Sequence, residues 1–407
     1  MDAQGIFFNK TCENMKKILI IGASILQLPA ILKAKQLGYY TIVTDLNPNA
    51  MGIAYADKFY NVNTIDVEGT VALAEKIKPD GIMTLATDLP MRSLAAATTK
   101  LGLPGISYDT AVKATDKGEM IKAFEAAGVE HPWFFILKSK EDLARVSPLI
   151  TYPCVIKPTD NAGNRGVSFA SNEEELLSLY GYSHDNSHSG DVIIEEYMEG
   201  QEVSVEIIVY HGEVHILAVT DKLTQGKPYF VEIGHSEQSQ LGIENVAKIK
   251  DLATRAVKAI GIDNSPAHVE IMLTKDGPKM VELGARMGGG CITTHLVPLS
   301  TGIDMIKSVM NLAMGDVPDV TPKFNKGSAL RHITGLEGEI VSVDGLDAAR
   351  VVPGVTDVTM LKGVGDKVSY FKNGADRIGY VIAQGEDTAD AIRICEDAMK
   401  LIKIQVN

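Results

Sequence analysis

Two periodicities run along this chain. A short apolar run over 18–21 ends in the small residues Gly22-Ala23-Ser24. Leu28, Ile31, Leu32 and Leu37 then recur at helical spacing up to Gly38, and residues 40–45 read as strand again. Strand, glycine turn, helix and strand in that order form a βαβ unit on a parallel sheet. The alternation continues as a helix over 71–77, a strand over 81–85 and a helix over 94–101, so residues 15–110 predict one doubly wound α/β domain. Gly22-Ala23-Ser24 has a single glycine where the dinucleotide fingerprint needs three, although Asp45 stands about where a ribose-binding acid would. The turn is read as a tight strand-to-helix turn.

The texture changes beyond residue 110. A charged helix over 116–124 is stopped by Gly128, and a strand follows over 133–137. Short strands are expected over 154–157, 192–196, 203–209, 214–220, 229–233, 268–273 and 279–283, with helices over 173–180 and 246–260. That mixture is α+β. Pro318 and Pro322 mark a joint, beyond which strands are expected over 328–334, 355–361 and 378–383, then a closing helix over 389–402. The predicted division is a flexible leader 1–14, an α/β domain 15–110, a central α+β region 111–318 and a C-terminal α+β subdomain 319–407. The polar, His-bearing stretch 183–190 is read as a solvated loop.

Composition narrows the function classes. The chain has 407 residues, 45% hydrophobic and 22% charged, enough for several cores without disulfide or metal staples. With 39 basic against 52 acidic residues the net charge is −13, and no Lys/Arg stripe is present. Nucleic acid and anionic membrane surfaces are therefore disfavoured as partners, and an anionic ligand must be held by a few placed cations. Cys12, Cys154, Cys291 and Cys395 are widely spaced, which argues against a zinc cluster or disulfide framework and fits a reducing cytoplasm. No stretch reaches the about 18 apolar residues of a membrane helix, and the N-terminus lacks the order of a signal peptide.

Three segments carry candidate chemistry. Cys154-Val155-Ile156-Lys157-Pro158 puts a lysine at a strand end, just before a loop containing Gly163, Gly166 and Ser168. Such a loop brings backbone N–H groups up to phosphate oxygens, and the lysine adds a mobile charge, but no Walker A sequence is present. Glu195-Glu196-Tyr197-Met198-Glu199-Gly200-Gln201-Glu202 lies between two strands; it is either an exposed hinge or a linker that receives adenine and ribose. A hairpin carries Glu270 on one strand and Glu282 on the other, with Glu270 on the same face as His268 and Met272. Two adjoining carboxylates with no basic partner repel unless a cation lies between them, and hard oxygen ligands beside phosphates suit Mg²⁺. Arg286 follows, with Met287-Gly288-Gly289-Gly290 expected to leave open space around a side chain suited to gripping a carboxylate or phosphate.

Taken in order, Asp116-Lys117, Val155-Ile156-Lys157-Pro158, the glycine loop, the 195–206 segment and the Glu270/Glu282 pair with Arg286 resemble the ATP-grasp superfamily of carboxylate–amine ligases. The resemblance covers nearly the whole chain. It implies an ATP-grasp fold, α/β and α+β, with a Rossmann-like pre-grasp domain over 15–110, two grasp lobes over 111–318 and a C-terminal subdomain over 319–407. It implies ATP with Mg²⁺ or Mn²⁺ as cofactors. Lys117 and Lys157 then correspond to the phosphate-binding lysines, with Gly163, Gly166 and Ser168 in the phosphate loop. Glu195, Glu196 and Met198 correspond to the hinge that meets adenine, Glu202 to the ribose-binding acid, and Glu270 and Glu282 to the metal ligands. Many members have Asn two residues after the second acid; Gly284 stands there in this chain, which puts a strict two-metal site in question.

Within the superfamily the chain is most similar to the L-amino acid ligases, which join two amino acids into a dipeptide. Glu282-Leu283-Gly284-Ala285-Arg286 resembles their acid-to-arginine motif, Glu232 and His235 resemble their substrate-site acid and histidine, and Arg377-Ile378-Gly379-Tyr380-Val381 resembles their C-terminal subdomain. The resemblance assigns Arg286, Glu232 and His235 to catalysis on small-molecule carboxylate and amine substrates, and implies a homodimer through the N-terminal domain. The other readings are a phosphoribosylamine–glycine ligase or another ATP-grasp enzyme of nucleotide or carboxyl metabolism, and a nucleotide-binding regulator that has lost catalysis.

Overall fold

The computed structural model describes residues 15–161, 165–226 and 231–407. Near the N-terminus the strands Lys17–Ile21, Tyr40–Thr44, Lys58–Tyr60 and Gly81–Met83 pair in parallel, with Lys17–Ile21 between Tyr40–Thr44 and Gly81–Met83. Ile18, Leu19, Ile20 and Ile21 are all fully buried, because both faces of a parallel sheet are covered by its crossover helices. Asp45 is spent inside this unit: its carboxylate accepts from the Ala23 N–H at 2.9 Å and the Asn47 N–H at 2.8 Å. It fixes the turn after the first strand.

The next layer is a four-stranded antiparallel sheet ordered Phe134–Leu137, Val192–Glu196, Cys154–Pro158, Ser168–Ala170. Helix Glu173–Asp185 covers it, packing Leu176 and Tyr180 onto Ile156, Val192 and Ile194. That helix runs into the stretch expected to be a solvated loop. Residues after it wrap Asp160, which accepts from the Ser187 hydroxyl and the backbone N–H groups of His188 and Ser189.

The largest layer is an eight-stranded antiparallel sheet. Its order is Gly277–Gly284, Ser265–Thr274, Gly200–Tyr210, Glu213–Thr224, Glu232–Glu237, Gly327–Ile333, Gly379–Gly385, Val355–Met360. It continues across the Pro318 to Pro322 joint, so the C-terminal strands extend the same sheet as the second lobe. Residues 229–230 of the strand expected over 229–233 lie outside the described residues, and the observed strand begins at Glu232. Helices Ile243–Ile260 and Thr388–Leu401 cover different parts of the sheet. A small sheet of Lys367–Val368, Gly338–Asp344 and Lys403–Val406 closes the C-terminal end. Among the described residues no helix is long and apolar enough to cross a membrane.

Candidate active site

Strand alternation builds the site. Along Gly200–Tyr210, Val203, Val205, Ile207 and Val209 enter a core shared with Ile249, Leu252 and Val257 of helix Ile243–Ile260. The intervening Glu202, Ser204 and Glu206 therefore share the opposite face. Ser265–Thr274 lies beside it with His268 opposite Glu206 and Glu270 opposite Ser204. On its other side Glu270 stands directly opposite Glu282, just before a register shift.

The expectation that the two carboxylates lack a basic partner is overturned. Lys222, only 4% exposed, reaches from Glu213–Thr224 to Glu270 at 3.0 Å, Glu202 at 2.6 Å and Glu232 at 2.9 Å. Lys117, the first residue of helix Lys117–Ala127, reaches Glu282 at 3.0 Å and donates to the Asn161 carbonyl at 2.9 Å. Asp116 caps that helix by accepting from the Glu119 N–H, and the Lys117 N–H donates to the Thr159 carbonyl, which ties the helix to the strand end bearing Lys157. Lys157 pairs with Glu195 at 2.5 Å and Lys279 with Glu196 at 2.7 Å, so the 195–202 segment is a paired linker and not a solvated hinge.

These pairs set the charges. Burial opposes the charge of Lys222, but Glu270, Glu232 and Glu202 hold its ammonium well above its usual value. Burial also opposes ionisation of Glu270, but Lys222 and His268 hold its carboxyl well below the ordinary range. Lys117 does the same for Glu282 against the effect of burial. Glu202 is pushed up to about 7 by burial, Lys222 notwithstanding, with Glu270 and Glu232 adding repulsion. His268 bridges Glu206 at 2.6 Å and Glu270 at 3.1 Å. Burial disfavours its charge, yet Glu206 carries it up to about 9.

Arg286 is 13% exposed and grips Asp88 with two nitrogens, each at 3.0 Å. Asp88 comes from the loop after strand Gly81–Met83, so a loop of the parallel sheet completes this corner. The expected open space is not there. A side chain at Gly288 would begin 2.6 Å from His268 Nδ1, and one at Gly290, which has φ +58°, would begin 3.0 Å from His235 Nε2. Gly284 is equally constrained: a Cβ there would lie 2.5 Å from Asp88 Oδ1 and 3.1 Å from Arg286 Nε. The Asp88–Arg286 pair occupies the space that an asparagine at 284 would enter.

Glu232 and His235 come from strand Glu232–Glu237, with His235 Nε2 3.6 Å from Glu232 Oε2. Residues three apart on a regular strand point to opposite faces. A bulge where Leu223 and Thr224 meet Gly234 and Glu232 brings these two together. Burial pushes His235 down to about 4; burial opposes ionisation of Glu232, but Lys222 and His235 bring it down to about 2. At neutral pH the pair is a carboxylate beside an uncharged imidazole.

Of the remaining expected residues, Gly166 adopts φ +78° and its carbonyl accepts from the Ser183 hydroxyl. Ser168 pairs with Ile156, beside Lys157. Gly163 lies outside the described residues. Met198 is half-buried in the turn between Val192–Glu196 and Gly200–Tyr210. The Glu196 N–H donates to the Trp133 carbonyl, so toward a base Glu196 has only its carbonyl to offer. Sequence reasoning missed Asp88, Lys222 and Glu206. Lys222 left one signal, a lysine set into a strand that is otherwise mostly apolar.

Among the described residues no three His, Cys, Asp or Glu side chains cluster as a self-sufficient metal site. Two ionised carboxylates on adjacent strands nonetheless fit Mg²⁺, which takes one or two carboxylates and completes its shell with phosphates and water.

Comparison with known proteins agrees with this geometry. Residues 150–295 match the ATP-grasp domain, and residues 331–407 match the L-amino acid ligase C-terminal domain 2. The chain is 27% identical over 305 residues to an uncharacterised protein of Sinorhizobium fredii, covering 74% of this chain and 63% of that protein. It is 27% identical over 325 residues to the alanine–anticapsin ligase of Bacillus subtilis, covering 73% of this chain and 68% of that protein. The L-amino acid ligase of Bacillus licheniformis superimposes with a TM-score of 0.82 at 22% identity, covering 97% of this chain and 99% of that one. The phosphoribosylglycinamide synthetase of Anaerococcus prevotii gives 0.79 at 25% identity, over 97% and 100%. The acid pair and Lys222 thus lie within the region that matches the ATP-grasp domain, and the C-terminal region matches the L-amino acid ligase C-terminal domain 2.

Proposed function

We propose that this protein activates the carboxylate of one amino acid with ATP and couples it to the amine of a second, releasing ADP and phosphate. The observation that carries the reading is the facing pair Glu270 and Glu282, held ionised by Lys222 and Lys117, with Arg286 locked beside them by Asp88. A carboxylate is a poor electrophile; moving the ATP γ-phosphoryl group onto it creates an acyl phosphate with a good leaving group. The barrier is electrostatic, since two anions must meet. Glu270 and Glu282 would hold Mg²⁺, which would supply charge to offset part of that repulsion. Lys117 and Lys157 trade their glutamates for phosphate oxygens. Arg286, already oriented, holds the carboxylate and then the oxyanion that forms when the amine attacks. Glu232 and neutral His235 hold an ammonium group, because a carboxylate near a pKa of 2 is a counter-ion and a weak base. The remaining assignments, Glu195, Glu196 and Met198 to adenine and Glu202 to ribose, belong to the same proposal, as do a cytoplasmic setting and a homodimer.

A second reading has one specific support, the 25% identity and full-length superposition with phosphoribosylglycinamide synthetase. A ribose phosphate substrate needs cations beyond the two lysines assigned to ATP, whereas Lys222, Lys279 and Arg286 each face carboxylates. Phosphate release from Mg-ATP over a panel of amino acids, singly and in pairs, with mass detection of products, decides between the two. Dipeptide formation is expected; turnover only with phosphoribosylamine and glycine establishes the second reading.

A further inference from the structure

Glu270 is held from a direction that no motif in the sequence announces. Its strand, Ser265–Thr274, keeps regular register against Gly200–Tyr210 on one side, whereas its ladder to Gly277–Gly284 shifts immediately after the Glu270–Glu282 pair. The backbone therefore braces Glu270 evenly from one side only, and a long, flexible carboxylate side chain needs further contacts to keep one orientation. Two are present. Lys222 Nζ lies 3.0 Å from Glu270 Oε2, and His268 Nε2 lies 3.1 Å from Glu270 Oε1. A carboxylate offers about four lone-pair sites, so one donor on each oxygen fixes its plane and leaves sites open for a cation.

Behind Glu270 the imidazole is itself anchored. His268 stands opposite Glu206 across the ladder, and its Nδ1 lies 2.6 Å from Glu206 Oε1. Carboxylate oxygens only accept, so the ring donates in both directions and is held at both ends. Glu206 is fully buried and His268 nearly so. The backbone at Gly288 closes over the pair, since a Cβ there would begin 2.6 Å from His268 Nδ1 and 3.0 Å from Glu206 Oε2. The Thr293 hydroxyl pins that backbone by donating to the Gly288 carbonyl at 2.7 Å. Stability alone gives no reason for such a pair. Glu206 Oε2 is buried without a hydrogen-bond partner, and apolar residues of similar volume in place of a buried ionic pair are often neutral or stabilising. What the pair does hold is Glu270.

We propose that His268, anchored by Glu206, is a positioning residue that presents the Glu270 carboxylate to the Mg²⁺ of the nucleotide. This rests on the assignment of Glu270 and Glu282 to Mg²⁺ in the ligase reading and adds the side chains that keep one of those acids in place. Partners of this kind behind a metal ligand typically carry about 10- to 100-fold of the metal affinity.

The test is calorimetric titration of the full chain with ADP, once in excess Mg²⁺ and once in EDTA, which gives the gain in ADP affinity that the metal supplies. Two double variants remove the buried acid, so that neither leaves a stranded charge. Glu206→Met/His268→Gln keeps an N–H donor toward Glu270, whereas Glu206→Met/His268→Met has nearly the same shape and no donor. The first is expected to keep most of the parent's gain, and the second to lose about tenfold or more of it. ADP affinity in EDTA and the unfolding midpoint are to match between the two, which separates a lost contact from a damaged fold. An undiminished gain in the second variant, the same loss in both, or an equal loss of ADP affinity in EDTA overturns the positioning role. Glu270→Gln tells this failure from that of the metal assignment. If Glu270→Gln leaves the gain intact, the metal assignment fails and the positioning role with it. If Glu270→Gln removes the gain while Glu206→Met/His268→Met keeps it, the positioning role alone fails.

Discussion

At the scale of residues, the site is a belt of opposite charges in which each member sets the state of the next. Gly284 shows how tightly one corner is built, since a single methyl there would meet Asp88 Oδ1 at 2.5 Å. Gly284→Ala is therefore expected to push Asp88 aside, loosen Arg286 and lower kcat by about 10- to 100-fold, with an unfolding midpoint close to the parent's; steady-state kinetics beside thermal unfolding check it. Glu237 offers a pH-dependent counterpart. It is fully buried, accepts from the Thr220 and Ser300 hydroxyls at 2.7 and 2.9 Å, and burial pushes it up to about 8 despite those bonds. Because its folded pKa lies above the ordinary value of 4.5, the native state binds the extra proton between the two, and stability falls as pH rises from about 4.5 to about 8. Glu237→Gln removes that dependence. Its stability relative to the parent should improve by more than about 1 kcal/mol between pH 5 and pH 8.5, as read by denaturant unfolding at both values.

At the scale of elements, what the sequence made legible followed period and punctuation. The Glu270–Glu282 hairpin is plain because two alternating strands flank a Thr-Lys-Asp-Gly turn, and its observed register places the acids opposite each other. Helix Lys117–Ala127 has its Asp116 cap and its Gly128 stop in the left-handed conformation at φ 65°. The rest depended on contacts between residues far apart in the chain. Lys222 reaches Glu270 from a strand two places away in the sheet, Asp88 comes from a loop of the separate parallel sheet, and the bulge that turns Glu232 toward His235 leaves no mark in the hydrophobic pattern. Strand Lys403–Val406 was missed because Lys403 and Gln405 alternate with half-buried Ile404 and Val406 on a small outer sheet. Gly327 illustrates an element boundary with no tolerance. A Cβ there would begin 2.0 Å from the backbone of Asp387, the cap of helix Thr388–Leu401, and backbone cannot rotate away. Gly327→Ala is expected to cost about 2 kcal/mol or more, measured as a lowered urea midpoint at unchanged m-value.

At the scale of the whole molecule, the continuous eight-stranded sheet joins chemistry on one half to a C-terminal region that looked separable in sequence. Deleting residues 319–407 removes three of that sheet's eight strands and leaves Glu232–Glu237, which carries two of the proposed substrate contacts, as a bare edge. Such a truncation is expected to aggregate, whereas an independent C-terminal module would leave it monodisperse in size-exclusion chromatography. The central claim remains that the carboxylate of an amino acid is phosphorylated before an amine attacks it. The most direct measurement supplies Mg-ATP with amino acid pairs whose carboxylates carry a heavy-oxygen label and follows both products by mass. The account predicts a dipeptide and the transfer of one labelled oxygen into inorganic phosphate. Unlabelled phosphate, or labelled substrates returned without a dipeptide, would contradict it.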